Sequence, residues 1–114
     1  MILETSAGIP LSSDILSNYL QALINQFFKI LPIWESKEST IDTYIRSLQS
    51  ELMGCRELII AINNDAQFLS LIAILQYLID NPECENHVVK REVFRGISII
   101  NKLKSKYSSV AEVK

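Results

Sequence analysis

Between residues 41 and 62 the apolar positions are Ile41, Ile45, Leu48, Leu52, Cys55, Ile59 and Ile62, with Asp42, Arg46, Gln49, Ser50 and Glu57 among the polar residues between them. Alternating steps of four and three residues lay one apolar stripe along a helix. A half-buried strand would alternate every second residue, and this stretch does not. The spacing predicts a helix over 40–62, entered through a cap signal at Ser39. Gly54 falls in its interior and reads as a close helix crossing or a small bend; glycine there costs about 1 kcal/mol relative to alanine.

The same reasoning places three more helices. Over 12–31, Ile15, Leu16, Tyr19, Leu20, Leu23, Ile24, Phe27, Phe28, Ile30 and Leu31 give a wide apolar face suited to two neighbours. A serine cap at Ser12 or Ser13 starts this helix, and Pro32 is expected to stop it. Over 65–79 almost every position is apolar, which predicts a central helix with neighbours on most sides, capped by Asn64 with Gln67. Over 87–106, Val89, Val93, Ile97, Ile100 and Leu103 form the buried face, and Gly96 is a second interior glycine. Residues 1–11, with Gly8 and Pro10, read as an irregular lead-in, and 108–114 as a frayed tail. Trp34 lies in the linker after Pro32, placed to fold back across the end of the bundle. Short links favour antiparallel neighbours. The expectation is one all-α domain over 1–114, a compact four-helix bundle-like fold with mostly antiparallel neighbours.

Composition agrees with a packed core: 48 % of the 114 residues are apolar and 21 % are charged. The net charge of −2 is unevenly spread. Residues 1–89 hold four basic and eleven acidic side chains, whereas residues 90–114 hold seven basic and two acidic. A basic end can steer an acidic partner, and basic residues also suit the C-terminus of a last helix. No uncharged run is longer than Ala66–Ile79, which is too short to span a membrane, and this argues for a cytoplasmic protein without a membrane partner.

Candidate chemistry is sparse. Cys84 and His87 offer two metal-ligand types at close spacing, but a structural zinc site needs four. Cys55 falls on the apolar stripe. No residue is placed to orient His87 as the base for a cysteine nucleophile. Phosphate loops, HExxH helices and nucleophile elbows are absent from the sequence. No catalytic residue, metal or cofactor is therefore assigned. Arg91, Arg95, Lys102 and Lys106 fall along one flank of the last helix by rotation, while Trp34, Tyr44, Met53 and Tyr77 are the aromatic and methionine candidates for a protein contact.

These features point to a non-enzymatic helical module that binds a protein partner. A regulator, inhibitor or immunity-type factor of bacterial or phage origin fits that description; small helical immunity proteins offer a fold-level analogy without a shared residue motif. The long stripe over 41–62 also leaves room for a homodimer. One alternative is a nucleic-acid-associated regulator using the basic last helix. Another is a small-molecule sensor or helical enzyme with an interhelical pocket, drawing on Tyr19, Asn25 or Tyr77.

Overall fold

The computed structural model describes residues 2–4, 10–37, 39–58, 60–63 and 65–108. Two short strands, β1 (Ile2–Glu4) and β2 (Pro10–Ser12), precede five helices: α1 (Ser13–Glu35), α2 (Ile41–Leu58), α3 (Ile60–Asn63), α4 (Ala66–Asp80) and α5 (Asn86–Ser108). The four long helices form an all-α bundle. Its ring order is α1, α2, α4, α5 and back to α1.

Side-chain pairs set the direction of each neighbour. Tyr44 of α2 reaches the Gln26 carbonyl of α1, and Tyr19 reaches Glu51. Gln49 bonds to Ile72 and Gln76 of α4. Lys106 and Tyr107 at the end of α5 meet Asp65 at the start of α4. Phe28 touches Phe94, and Lys104 bonds to Gln21. Rising numbers meet falling ones between α1 and α2 and between α1 and α5; Ile41 and Ile45 of α2 lie by Leu78 and Ile79 of α4, and the short link 81–85 joins α4 to α5, so neighbouring helices run antiparallel.

The core is drawn from the predicted apolar faces: Leu16, Leu20, Leu23, Phe27 and Ile30 of α1 meet Ile45, Leu48 and Leu52 of α2, Phe68, Leu71 and Leu75 of α4, and Val89, Val93 and Ile100 of α5. The two interior glycines differ. A β-carbon on Gly54 would meet nothing within 4 Å, so the close crossing expected there does not exist. A β-carbon on Gly96 would lie 2.5 Å from Phe27 Cε2. At Gly96 α5 packs tightly against α1, and the buried Phe27 ring occupies the space that a side chain would take.

Several boundaries depart from the sequence-based expectation, each for a local reason. Pro32 does not end α1; the helix runs through it to Glu35. Proline inside a helix costs about 3 kcal/mol, and the next turn must offset that. It does so with Trp34, which is buried and donates its indole N–H to the Cys84 carbonyl at 3.3 Å. Trp34 thus closes the end of the bundle from within α1 rather than from a linker. The chain leaves α1 at Lys37, whose φ of 54° puts a side-chain-bearing residue in the left-handed region usually taken by glycine.

The expected 40–62 rod is described as two elements, α2 and the single turn α3, with Ile59 between them outside the described residues. Arg56 Nε donates to the Asn63 carbonyl at 2.9 Å, and Asn63 Nδ2 donates back to the Arg56 carbonyl at 3.3 Å. These reciprocal bonds satisfy backbone groups at the end of α2 and α3. Asn64, the expected cap of α4, lies outside the described residues. Asp65 fills that role, with its carboxylate accepting from the N–H groups of Gln67 at 2.9 Å and Phe68 at 3.3 Å.

The lead-in is not wholly irregular, because Ile2–Glu4 pairs antiparallel with Pro10–Ser12. Segments of three residues are too short to show a period, and Pro10 sits at a strand start, where its missing N–H is tolerated. Of the expected tail, 109–114 lies outside the described residues, and α5 continues to Ser108. No described helix is long and apolar enough to cross a membrane.

Candidate protein-contact surfaces

The buried polar groups define what is committed to the fold. Asp65 is the hub: Lys106 Nζ lies 2.6 Å from its Oδ2, and the Tyr107 hydroxyl donates to the same oxygen at 2.8 Å. Burial pushes the Asp65 carboxyl up, but the bonds from Lys106, Tyr107 and the amides of Phe68 and Gln67 outweigh it and hold the group below its usual range. The Tyr107 phenol moves the other way, raised by burial and then by the adjoining carboxylate. Glu92 is also buried, and Arg91 and Arg95 reach it at 3.2 and 2.7 Å. Gln49 donates to the Ile72 carbonyl at 3.3 Å and to Gln76 at 3.0 Å, a polar tie between α2 and α4. Composition and spacing did not single out these three residues. In Asp65 the signal was present, since an acid directly before an apolar helical run is a cap.

The sequence-predicted contact residues divide accordingly. Trp34 is inside the bundle. Tyr44 is half-buried, its hydroxyl spent on the Gln26 carbonyl at 2.8 Å. Lys106 is tied to Asp65, and Arg91 and Arg95 share Glu92. Met53 and Tyr77 are exposed, on α2 and α4. Lys102 is exposed on α5, and among the described residues no acid pairs with it or with Lys90.

Two apolar surfaces remain open, on opposite sides. On the α1–α5 side, Phe28 and Phe94 meet edge to face with ring centroids 5.8 Å apart, each still 43 % exposed. Phe94 continues along α5 into a shallow groove lined by Ile97, Ser98, Asn101, Lys102 and Ser105. Between residues 90 and 106 this helix carries six basic side chains and a single acid, the buried Glu92. On the other side, α4 turns Leu69 and Tyr77 outward at 39 % and 40 % exposure. The expectation that α4 has neighbours on most sides is therefore corrected: α2 and α5 flank it, and its outer arc is open.

A cleft of about 730 Å³ lies at the end of the bundle, lined by Trp34, Lys37, Ile41 and the link through Cys84 to His87. The Cys84 thiol is raised by burial, which holds it in the neutral form. His87 is solvent-facing, with Nδ1 3.7 Å from Glu85. Among the described residues, no three acidic, cysteine or histidine side chains are grouped to hold a metal ion. On α2, the Cys55 thiol is pushed up to about 11 by burial and by the charge of Glu51. Tyr19, Asn25 and Tyr77 do not share a pocket: Asn25 and Tyr77 face solvent on α1 and α4, which stand diagonally in the ring.

Comparison with known proteins adds no relative: no family model, no curated protein and no solved structure matches this chain.

Proposed function

We propose that this protein is a non-enzymatic helical module that binds an acidic protein partner through the α1–α5 face. The observation that carries the reading is the exposed Phe28–Phe94 pair on the basic side of the bundle. Two aromatic rings packed on each other rather than into the core retain much of their burial energy for a partner. Lys90 and Lys102 lie one and two turns from Phe94 on the same helix, and among the described residues no acid pairs with them. A partner that presents an apolar side chain ringed by carboxylates complements both features.

The nucleic-acid alternative is weaker on this surface. Arg91, Arg95 and Lys106 spend their charge on Glu92 and Asp65, which leaves few cations for phosphates.

Affinity capture from the native cell, with nuclease treatment, tests the proposal using wild type, Phe94→Ser and a Lys90→Glu/Lys102→Glu pair. The expected result is a protein recovered by wild type and lost by both variants, which keep their helical circular dichroism. Recovery of nucleic acid alone, or capture indifferent to both variants, overturns it. Lys106 is not a suitable position for charge reversal, because a glutamate there would face the Asp65 carboxylate.

A further inference from the structure

The outer face of α4 carries a pattern that fits a second copy of the same chain. Ala66 to Ile79 contains no charged residue, although it is one of the four long helices of a bundle with 21 % charged residues. Its exposed members are Ala66, Leu69, Ser70, Ala73, Gln76 and Tyr77, with Asp80 at the end. By helical rotation they span an arc of about 120° centred on Ala73.

About that centre the arc is symmetric in character. In an antiparallel pair crossing at Ala73, Leu69 lies opposite the second copy's Tyr77, and Tyr77 opposite its Leu69. Ser70 lies opposite the second copy's Gln76, and the two Ala73 residues meet at the axis, where a small side chain permits close approach. An interface made by one patch on both subunits demands this self-match. At the ends, Asp80 of each copy falls level with the other's Ala66, so the two Asp80 carboxylates stay apart.

Met53 extends the face. Gln49 of α2 sits at the level of Ile72 and Gln76 of α4. One turn further along α2, and one turn back along α4, brings exposed Met53 level with Leu69 and partly buried Ile72. Of the charges on the flanking helices, Arg46 is paired with Asp42, Arg95 with Glu92 and Lys106 with Asp65. Apart from Asp80 at its end, the arc offers a charged foreign partner no counter-charge, whereas its uncharged stretch meets its own copy without repulsion.

We infer that two copies of the chain associate through the outer face of α4, antiparallel and with the twofold axis at Ala73. The interface lies away from the Phe28–Phe94 face, so it stands or falls separately from the proposed function.

The solution mass of the full chain, measured by sedimentation across a concentration series, is expected to approach twice the 13.0 kDa of one chain. Ala73→Arg puts a charge at the axis on an exposed position, and should return the mass to that of one chain while leaving helical circular dichroism unchanged. Phe94→Ser should leave the mass doubled. As a second measurement, Ala73→Cys in a Cys55→Ser/Cys84→Ser background should cross-link to a covalent pair under mild oxidation, while Ser98→Cys on α5 should not. A single-chain mass at every concentration overturns the inference. So does a doubled mass that survives Ala73→Arg with cross-linking at residue 98 instead of 73. A single-chain protein whose Ala73→Arg variant loses a foreign partner would assign the face to that partner, and would also overturn it.

Discussion

Along the α1–α5 seam, Gly96 gives up its side chain so that the Phe27 ring can lie against the helix backbone, and Phe28, the next residue, meets Phe94. Across the bundle, α2 meets α1 more thinly and is tied to its neighbours by polar bonds: Tyr44 to the Gln26 carbonyl, Tyr19 to Glu51, and Gln49 to Ile72 and Gln76. Both sides bury aliphatic side chains. Only the seam depends on shape at the level of a single methyl group. The lesson is that interior glycines of similar appearance, Gly54 and Gly96, have opposite meanings depending on which side they occupy.

The largest expected effect lies on the seam. Phe27→Ala removes a fully buried ring and should cost about 3–5 kcal/mol in urea unfolding. A loss under about 1 kcal/mol would mean that the ring does not fill the space beside Gly96, and the contrast would collapse.

Asp65→Ala should follow, at about 1–3 kcal/mol, because it removes a helix cap and a buried acceptor of charge-assisted bonds. Its pH signature has a definite sign. The native carboxyl is held below its usual range, so it contributes stability that is present above about pH 4 and lost as pH falls further. Acid titration of unfolding should therefore steepen below about pH 4 in wild type and flatten in Asp65→Asn. The raised Tyr107 phenol acts at the other end, with stability present below about pH 10 and lost as pH rises beyond it.

Gly96→Ala comes next. Overpacking typically costs about 1–3 kcal/mol, and the gain in helix propensity returns about 1, leaving a net loss of up to about 2 kcal/mol. Gly54→Ala is the smallest and has the opposite sign, a gain of up to about 1 kcal/mol, since nothing lies within 4 Å of the new methyl. Melting temperatures that move in the same direction for both glycines would break the comparison.

The apolar stripes of α2 and α5 were legible because each faces a core on one side only, so their period survives in the residues: Ile45, Leu48 and Leu52 are buried, as are Val89, Val93 and Ile100. Pro32 was misleading because local backbone preference was read without the burial of Trp34 beyond it, which acts through tertiary contact. The near-continuous apolar sequence of α4 implied neighbours all round. The single chain supplies two, and the remainder is the arc assigned above to a second copy. The residues expected to make contacts split by exposure. Met53, Tyr77 and Lys102 are exposed, while Trp34 and Tyr44 are drawn into the fold. Phe28 was read as a member of the wide apolar face of the first helix, yet it is 43 % exposed beside Phe94.

The passage of α1 through Pro32 has a bearing on recognition as well as on helix length. A proline ring brings no N–H to the turn, so the Phe28 carbonyl four residues earlier lacks its customary donor. Phe28 and Pro32 both face solvent. In the complex proposed above, that main-chain oxygen, at the root of one ring of the aromatic pair, would be the acceptor for a partner's hydroxyl or amide.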